Sequence, residues 1–372
     1  MRSTSLLAAC FFSVASLGAL AAAASCAACG SAGAVTASPT ADGGPGELDA
    51  AAEAAPDARN APEATVVAVV DLPRSAITQA LSGTAFDPAT RTLFALQDKN
   101  ARIVPLVGNE TFDAFTVGTP IVLTGRTETA YDGEGLVLTD DGFIAVTNET
   151  TPTVETFSAS GARSAAVTLP DRYTKQAPGN KGLESLTLSP SGKYLFTANE
   201  SALSTDGMAA TKTRGSRVRI LRRDLVTSTD TEVAYRTEPL GAGVGGDMGV
   251  SELAALSDDV LLVLERGYQP GYGNTVRIFK VDFASGERVD AIASLTDTTP
   301  IVEKTLLVDI GALPSSGATH PSEQPNPILD NYEALALGPT LPDGRRLLFV
   351  TSDDNQSMSQ VARVLVLAVR GL

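Results

Sequence analysis

The sequence predicts an all-β fold, a β-propeller of four-stranded antiparallel blades. Three observations predict it: a two-strand unit that recurs along the chain, further strand-like runs after each unit, and a spare run ahead of the first unit that complements a short last one. Repeated blades are the arithmetic of a propeller. The recurring unit starts at Ser82 (SGTAFDPATRTLFALQD), Glu134 (EGLVLTDDGFIAVTNE), Glu184 (ESLTLSPSGKYLFTANE), Glu252 (ELAALSDDVLLVLERG) and Glu333 (EALALGPTLPDGRRLLFVTSDD). Each copy is a short apolar run, a turn rich in Asp, Gly, Pro or Ser, and a second run that ends near an acid. That is hairpin chemistry. Outer strands are expected at ARIVPLV and TPIVLTG, TVETFSAS and SAAVTLP, RVRILRRD and TEVAYRTEPL, and TVRIFKVD and KTLLVDI, several alternating apolar with polar residues. The last unit offers only three strands, ending in ARVLVLAV. The run TVVAVVDLP from Thr65 would pair with it, close the ring and remove two exposed edges. Five blades are the simplest count; insertions at 205–216, 241–250 and 284–330 leave room for six. A β-sandwich or β-solenoid is the alternative.

Ahead of the repeats lies an export signal. Arg2 precedes an apolar run from Leu6 to Ala24, and small residues lead to Ser25 and Cys26. A membrane anchor fits less well, because the run is Ala-rich and barely long enough. Ala23-Ala24-Ser25-Cys26 resembles a lipoprotein box, departing from it at Ala23, so lipidation at Cys26 and simple cleavage both remain open. Residues 26–62 hold almost no large apolar side chains and read as a disordered tether. The division is therefore a signal over 1–25, a tether over 26–62 and a propeller over 63–372. Cys10, Cys26 and Cys29 all precede the folded part, which holds no disulfide. The expected location is the periplasm or outer membrane as a lipoprotein, or the medium.

The formal net charge of the 372-residue chain is −15. That excludes nucleic acid, whose binding rests on clustered Lys and Arg. Contact with a membrane is expected only through a lipid on Cys26. The chain has no Trp, a poor start for a lectin, and His320 is its one histidine, in the loop THPSEQPNP. A His-centred triad or multi-His zinc site would rest on that residue alone. A monomer acting on a small anionic or ester substrate is expected.

The acids are the informative feature. Strands alternate direction within a blade, so the start of the first strand and the end of the second share a face. Glu134, Glu184, Glu252 and Glu333 begin first strands; Glu149, Glu200, Glu265, Asp353 and Asp354 end second strands. Both sets should meet around the channel mouth. Like charges about 4 Å apart cost roughly 1 kcal/mol in water and about four times that at a partly shielded surface. A bound cation relieves this, and oxygen-rich, His-poor surroundings suit Ca²⁺, with Mg²⁺ or Mn²⁺ next. Asn148 and Asn199 could add neutral oxygens. The blander readings make each Glu a clip that accepts backbone N–H bonds, or leave it in water. Lys99, Lys181, Arg266 and Arg172 are expected on the same face, either holding an anionic substrate or simply pairing with the acids.

At these residues the sequence resembles the phytase-like family of exported bacterial proteins, described as having the esterase-like activity of phytase. The resemblance runs through NKGLESLTLSPSGKYLFTANE, GVSELAALSDDVLLVLERGY and NYEALALGPTLPDGRRLLFVTSDDNQS and covers about residues 65–372. The third stretch is the most specific, with Gly338-Pro339, Asp343-Gly344-Arg345 and Ser352-Asp353-Asp354-Asn355 in order; Ala334 stands where the family often has Gly. The resemblance implies hydrolysis of esters or phosphate esters with a metal-assisted site. The matching positions are Glu184, Glu252, Glu265, Arg266, Glu333, Asp353 and Asp354.

Together these readings give a specific expectation. Glu134, Glu184, Glu252, Glu333 and Asp353 would hold Ca²⁺, Glu265 or Asp354 would act as general base, and Arg266 and Lys181 would hold the anionic part of the substrate. No Gly-x-Ser-x-Gly elbow supports a serine esterase. The rival expectation is a non-catalytic, calcium-stabilised binding propeller.

Overall fold

A computed structural model describes residues 63–126, 131–147, 152–241 and 245–372; the expected signal and the whole of the expected tether lie outside the described residues, as do Asn148 and Glu149. Strand β1 (Glu63–Asp71) comes first. Blade one is β2 (Leu81–Asp87), β3 (Thr92–Gln97), β4 (Arg102–Gly108) and β5 (Phe115–Val117), with β6 (Ile121–Val122) also pairing with β4. Blade two is β7 (Gly133–Thr139), β8 (Gly142–Thr147), β9 (Thr153–Ser158) and β10 (Arg163–Val167). Blade three is β11 (Thr187–Leu188), β12 (Tyr194–Ala198), β13 (Arg217–Asp224) and β14 (Asp230–Arg236). Blade four is β15 (Asp247–Ala255), β16 (Val260–Gln269), β17 (Gly273–Asp282) and β18 (Lys304–Asp309). Blade five is β19 (Tyr332–Thr340), β20 (Arg346–Ser352) and β21 (Arg363–Arg370), completed by β1, which pairs antiparallel with β21 from Glu63↔Arg370 to Asp71↔Arg363. The ring thus closes through its N-terminal strand, and the count is five. Within the described parts of the three insertions, only β18 and the start of β15 are strand.

Neighbouring blades share their cores. One apolar cluster fills each of the five seams, for example Leu96, Ile103, Leu136 and Phe143 between blades one and two. At the closing seam the Phe349 ring packs 4.9 Å from Phe86 and 5.1 Å from Phe112. The expected outer strand at TPIVLTG is a two-residue fragment. The edge of blade one is instead split between β5 and β6, because Gly118 turns back to donate its N–H to the Pro105 carbonyl (2.7 Å) and Pro120 has no N–H to give.

All five inner strands carry an irregularity near their start. The register slips between Leu81 and Thr84, Gly133 and Leu136, Val250 and Glu252, and Tyr332 and Ala334. In blade three the Leu183↔Asn199 bridge and the Thr187↔Phe196 pair differ by one residue, and the Ser185 hydroxyl accepts the Ala198 N–H (2.9 Å) in place of a ladder bond. A bulge kinks its strand and re-aims a side chain. Glycine permits the close approach of the inner strands here: a Cβ on Gly135 would lie 2.6 Å from the Leu186 Cβ.

Candidate functional site

The bulges build a basin. At the end of the channel where the inner strands begin lies a cavity of about 230 Å³, to which all five blades contribute. Glu134 and Glu333 stand on bulges and Glu184 just before β11. Asp98, Lys99, Glu200, Asp353 and Asn355 follow the second strands, and Arg266 lies near the end of one. Lys181 and Asp247 complete the charged lining. Seven carboxyl groups face three cations there, an excess that favours a further positive charge.

The cations are engaged. The Lys181 ammonium sits 2.8 Å from both Glu200 Oε2 and Asp247 Oδ2. Arg266 donates to Glu333 Oε1 (3.0 Å) and lies 3.6 Å from Glu200 Oε1, while the Asn331 amide donates to the same Glu333 oxygen (2.8 Å). Lys99 pairs with Asp98 (2.9 Å) and with Asp132. Two carboxyls are held protonated more readily than usual. Burial first, then the neighbouring Asp132, pushes Asp98 up to about 7, with Lys99 pulling the other way. Asp353, 2% exposed, is pushed well above the carboxylate range by burial and then by the Glu333 charge, although the Asn355 N–H (2.6 Å) favours its ionised form.

Asp98, Asp132 and Glu134 offer carboxylate oxygens that all lie within 4.8 Å of one another, the one such grouping among the described residues. Two oxygens bound to one Ca²⁺ at about 2.3–2.6 Å can be no more than about 5 Å apart, so the spacing fits. Asp98 Oδ1 is buried with no hydrogen-bond partner, which also fits a cation. A metal there would compete with Lys99.

The residues singled out from the sequence divide into two sets. Glu134, Glu184, Glu333, Asp353, Lys181 and Arg266 line the basin. Glu252, Glu265 and Asp354 do not, and each is a clip. In blade four the bulged residue is Ser251, so Glu252 stands one residue on, paired with Leu264 in the regular ladder and facing away. Its Oε1 accepts the N–H groups of Leu186 and Leu253, both at 2.9 Å, and burial pushes its carboxyl well up. Glu265 accepts from the Tyr235 hydroxyl (2.5 Å), Lys304 (2.6 Å) and the Glu238 N–H (2.8 Å), tying blade three to blade four. Asp354 accepts the Ala80 and Gln356 N–H groups at 2.9 and 3.0 Å, tying blade five to blade one. Neither Glu265 nor Asp354 is placed to act as a base in the basin. Only Glu134 of the expected metal set belongs to the close oxygen group.

Among the cations, Lys99 joins the basin, whereas Arg172 binds Glu232 and the carbonyls of Asp290 and Ile292 elsewhere. His320 is buried against Asp330 (3.0 Å) and Ser322 and does not line the basin. Asn199 turns its amide to the Ser201 carbonyl. Sequence reasoning missed Asp98, Asp132, Asp247, Asn180, Asn331 and Asn355 as site residues. A usable signal existed: Asp132 and Asn331 each precede a bulge Glu by two residues, in Asp-Gly-Glu and Asn-Tyr-Glu.

Among solved structures, similar chains include an endo-arabinase from Bacteroides thetaiotaomicron (11% identity, 81% of this chain and 95% of that one, TM-score 0.43). The Malassezia sympodialis allergen Mala s 1 is similar at 13% identity over 81% of this chain and 96% of that one, with a TM-score of 0.40. The periplasmic gluconolactonase PpgL of Pseudomonas aeruginosa is similar at 17% identity over 77% of this chain and 85% of that one, with a TM-score of 0.35. None of these likenesses bears on the basin, and no curated protein matches the chain. The model of one family matches residues 77–356, a span holding every basin residue, and by that match the chain belongs to the Phytase-like family, "Esterase-like activity of phytase".

Proposed function

We propose that this protein hydrolyses ester or phosphate-ester bonds in the acidic basin, with a divalent cation at Asp98, Asp132 and Glu134. The observation that carries the reading is the convergence of carboxyls from several blades on one small, cation-bearing cavity. A bound cation would polarise the substrate oxygen. The chain's own residues do the rest. Lys181 and Arg266 hold the anionic part of the substrate. Glu333, hydrogen-bonded to Arg266, takes a proton from the attacking water. Asp353, kept protonated by burial and by that same Glu333 charge, gives its proton to the leaving oxygen. Ca²⁺ is the preferred ion for so oxygen-rich a site, with Mg²⁺ and Mn²⁺ behind it. The leader before Cys26 supports export, with lipidation or cleavage at that boundary.

A panel of chromogenic phosphate and carboxylate esters, assayed with and without EDTA, tests this. Turnover that EDTA removes and calcium restores is expected. Absence of turnover together with a calcium-dependent melting temperature would leave the non-catalytic scaffold. Indifference to both EDTA and calcium would end the metal reading.

A further inference from the structure

Outward from the basin, on blade three, an otherwise acidic protein gathers arginines. Arg217 begins β13 and Arg236 ends β14, and the two are direct cross-strand partners. Strand alternation puts both on the basin face of the disc. Arg214 lies just ahead. Asp297 is the acid that pairs with this group, and a single oxygen of it, Oδ1, serves both Arg214 and Arg217. Other nearby acids are committed: Glu238 to Lys304 (2.9 Å) and Asp206 to Arg219 (2.6 and 2.9 Å). Three guanidiniums against one carboxylate leave two positive charges over.

Two features point to a ligand. The Arg217 side chain is 6% exposed, yet its Nε has no hydrogen-bond partner, and neither has Arg236 Nε. A buried guanidinium N–H left unpaired is costly. Arg214 and Gly215 also separate two cavities, one of about 110 Å³ reached by Arg217 and one of about 380 Å³ reached by Arg236. Burial, then the charges of Arg214 and Arg236, lowers the Arg217 pKa, as expected of crowded cations awaiting an anion.

We propose that Arg214, Arg217 and Arg236 form a binding site for a phosphate group, in which the ligand replaces the Asp297 carboxylate. With Asp297 displaced the three guanidiniums carry three positive charges, of which a phosphate dianion offsets two, and its tetrahedral oxygens can meet several guanidinium forks at once. Asp297 is 72% exposed on its loop, so it is a weakly held placeholder. The site is separate from the basin and stands whether or not the basin is catalytic.

The test is calorimetric titration of the full chain with inorganic phosphate at low salt. Saturable binding is expected, weakened about tenfold by Arg214→Gln and by Arg236→Gln, since each removes a charge-assisted contact. Asp297→Asn should tighten binding severalfold, a gain that a merely structural ion pair would not produce. Lys193→Gln, just before β12 at the opposite end of blade three, should leave it unchanged. Because Arg214 is half-exposed, its variant avoids the folding risk of replacing Arg217. Phenyl phosphate binding at least as tightly as the free ion would point to esters as the source of the group, and weaker binding to inorganic phosphate. No saturable binding, phosphate affinity indifferent to Arg214→Gln and Asp297→Asn, or affinity lost in Lys193→Gln would each overturn the proposal.

Discussion

The same five inner strands end in two different mouths. Where they begin, the basin is small, about 230 Å³, and its lining is charged or amide side chains. Where they end, the channel opens into a funnel of about 840 Å³, lined by Leu136, Leu138, Leu188, Leu253 and Leu337 beside small polar turn residues. The difference lies in the backbone. Near the beginning every strand carries a bulge or irregularity that turns a Ser or Glu out of the ladder; in the funnel the ladders of blades two, three and four run on regularly to their turns. The charged groups of this propeller's channel therefore gather at one rim, built by single-residue insertions into an otherwise repetitive ring.

The largest effect that would sharpen this contrast is catalytic. Asp353→Asn removes the proton donor and should lower ester turnover on the order of a hundredfold or more, while Leu138→Ser in the funnel leaves the rate within about twofold. Equal losses at the two mouths, measured as kcat at saturating substrate, would erase the distinction.

Next comes packing at the bulges. Gly135→Val places carbon within contact distance of Leu186 Cβ (2.6 Å) and N (2.7 Å) and should cost about 3 kcal/mol in urea unfolding. Gly179→Val, with nothing within 4 Å of its Cβ site but φ +63°, tests how much of such a loss is backbone strain alone.

A pH comparison follows from Asp98. Its carboxyl rises to about 7 in the folded chain from 3.8, so the folded state holds a proton that the unfolded state releases. Stability from this group is therefore lost as pH rises from about 4 to about 7. Relative to the parent, metal-free Asp98→Asn should gain on the order of 2 kcal/mol between pH 5 and pH 8. His320 carries the opposite sign in its dependence on partners. Burial works hardest against its charge, but the Asp330 hydrogen bond, the Asp330 charge and the Ser322 backbone together outweigh it and raise the imidazole. Its contribution is complete below about 6.5 and fades as pH climbs through the raised value, so His320→Gln should cost about 1 kcal/mol more at pH 5.5 than at pH 8.5.

The smallest expected effect is the most diagnostic for the clips. Glu252→Gln keeps the acceptor for Leu186 and Leu253 and should shift stability by less than about 1 kcal/mol, with an unaltered melting response to calcium. A lost calcium response would return Glu252 to the metal set.

Much was legible from one dimension because it is local. Alternating side chains, turn residues and a spare first strand specify antiparallel blades and their closure, since a strand's period and a hairpin's turn depend only on neighbours in the chain. The lack of cysteine in the folded part and the negative charge are likewise compositional. Which acids would meet was not local. Aligning Glu252 with Glu134, Glu184 and Glu333 by their letters overlooks a bulge at Ser251, and in a strand one residue reverses the side a group faces. Glu265 and Asp354 ended in the seams rather than the mouth because their partners, Tyr235 and Ala80, are supplied by neighbouring segments of the ring. Asp98, Asp132 and Glu134 became one oxygen cluster only because two blades meet there. The sequence by itself determined the ring and its store of carboxyls. The tertiary structure decided which of them act as clips and which line the basin, since that choice depends on bulge register and on contacts between blades.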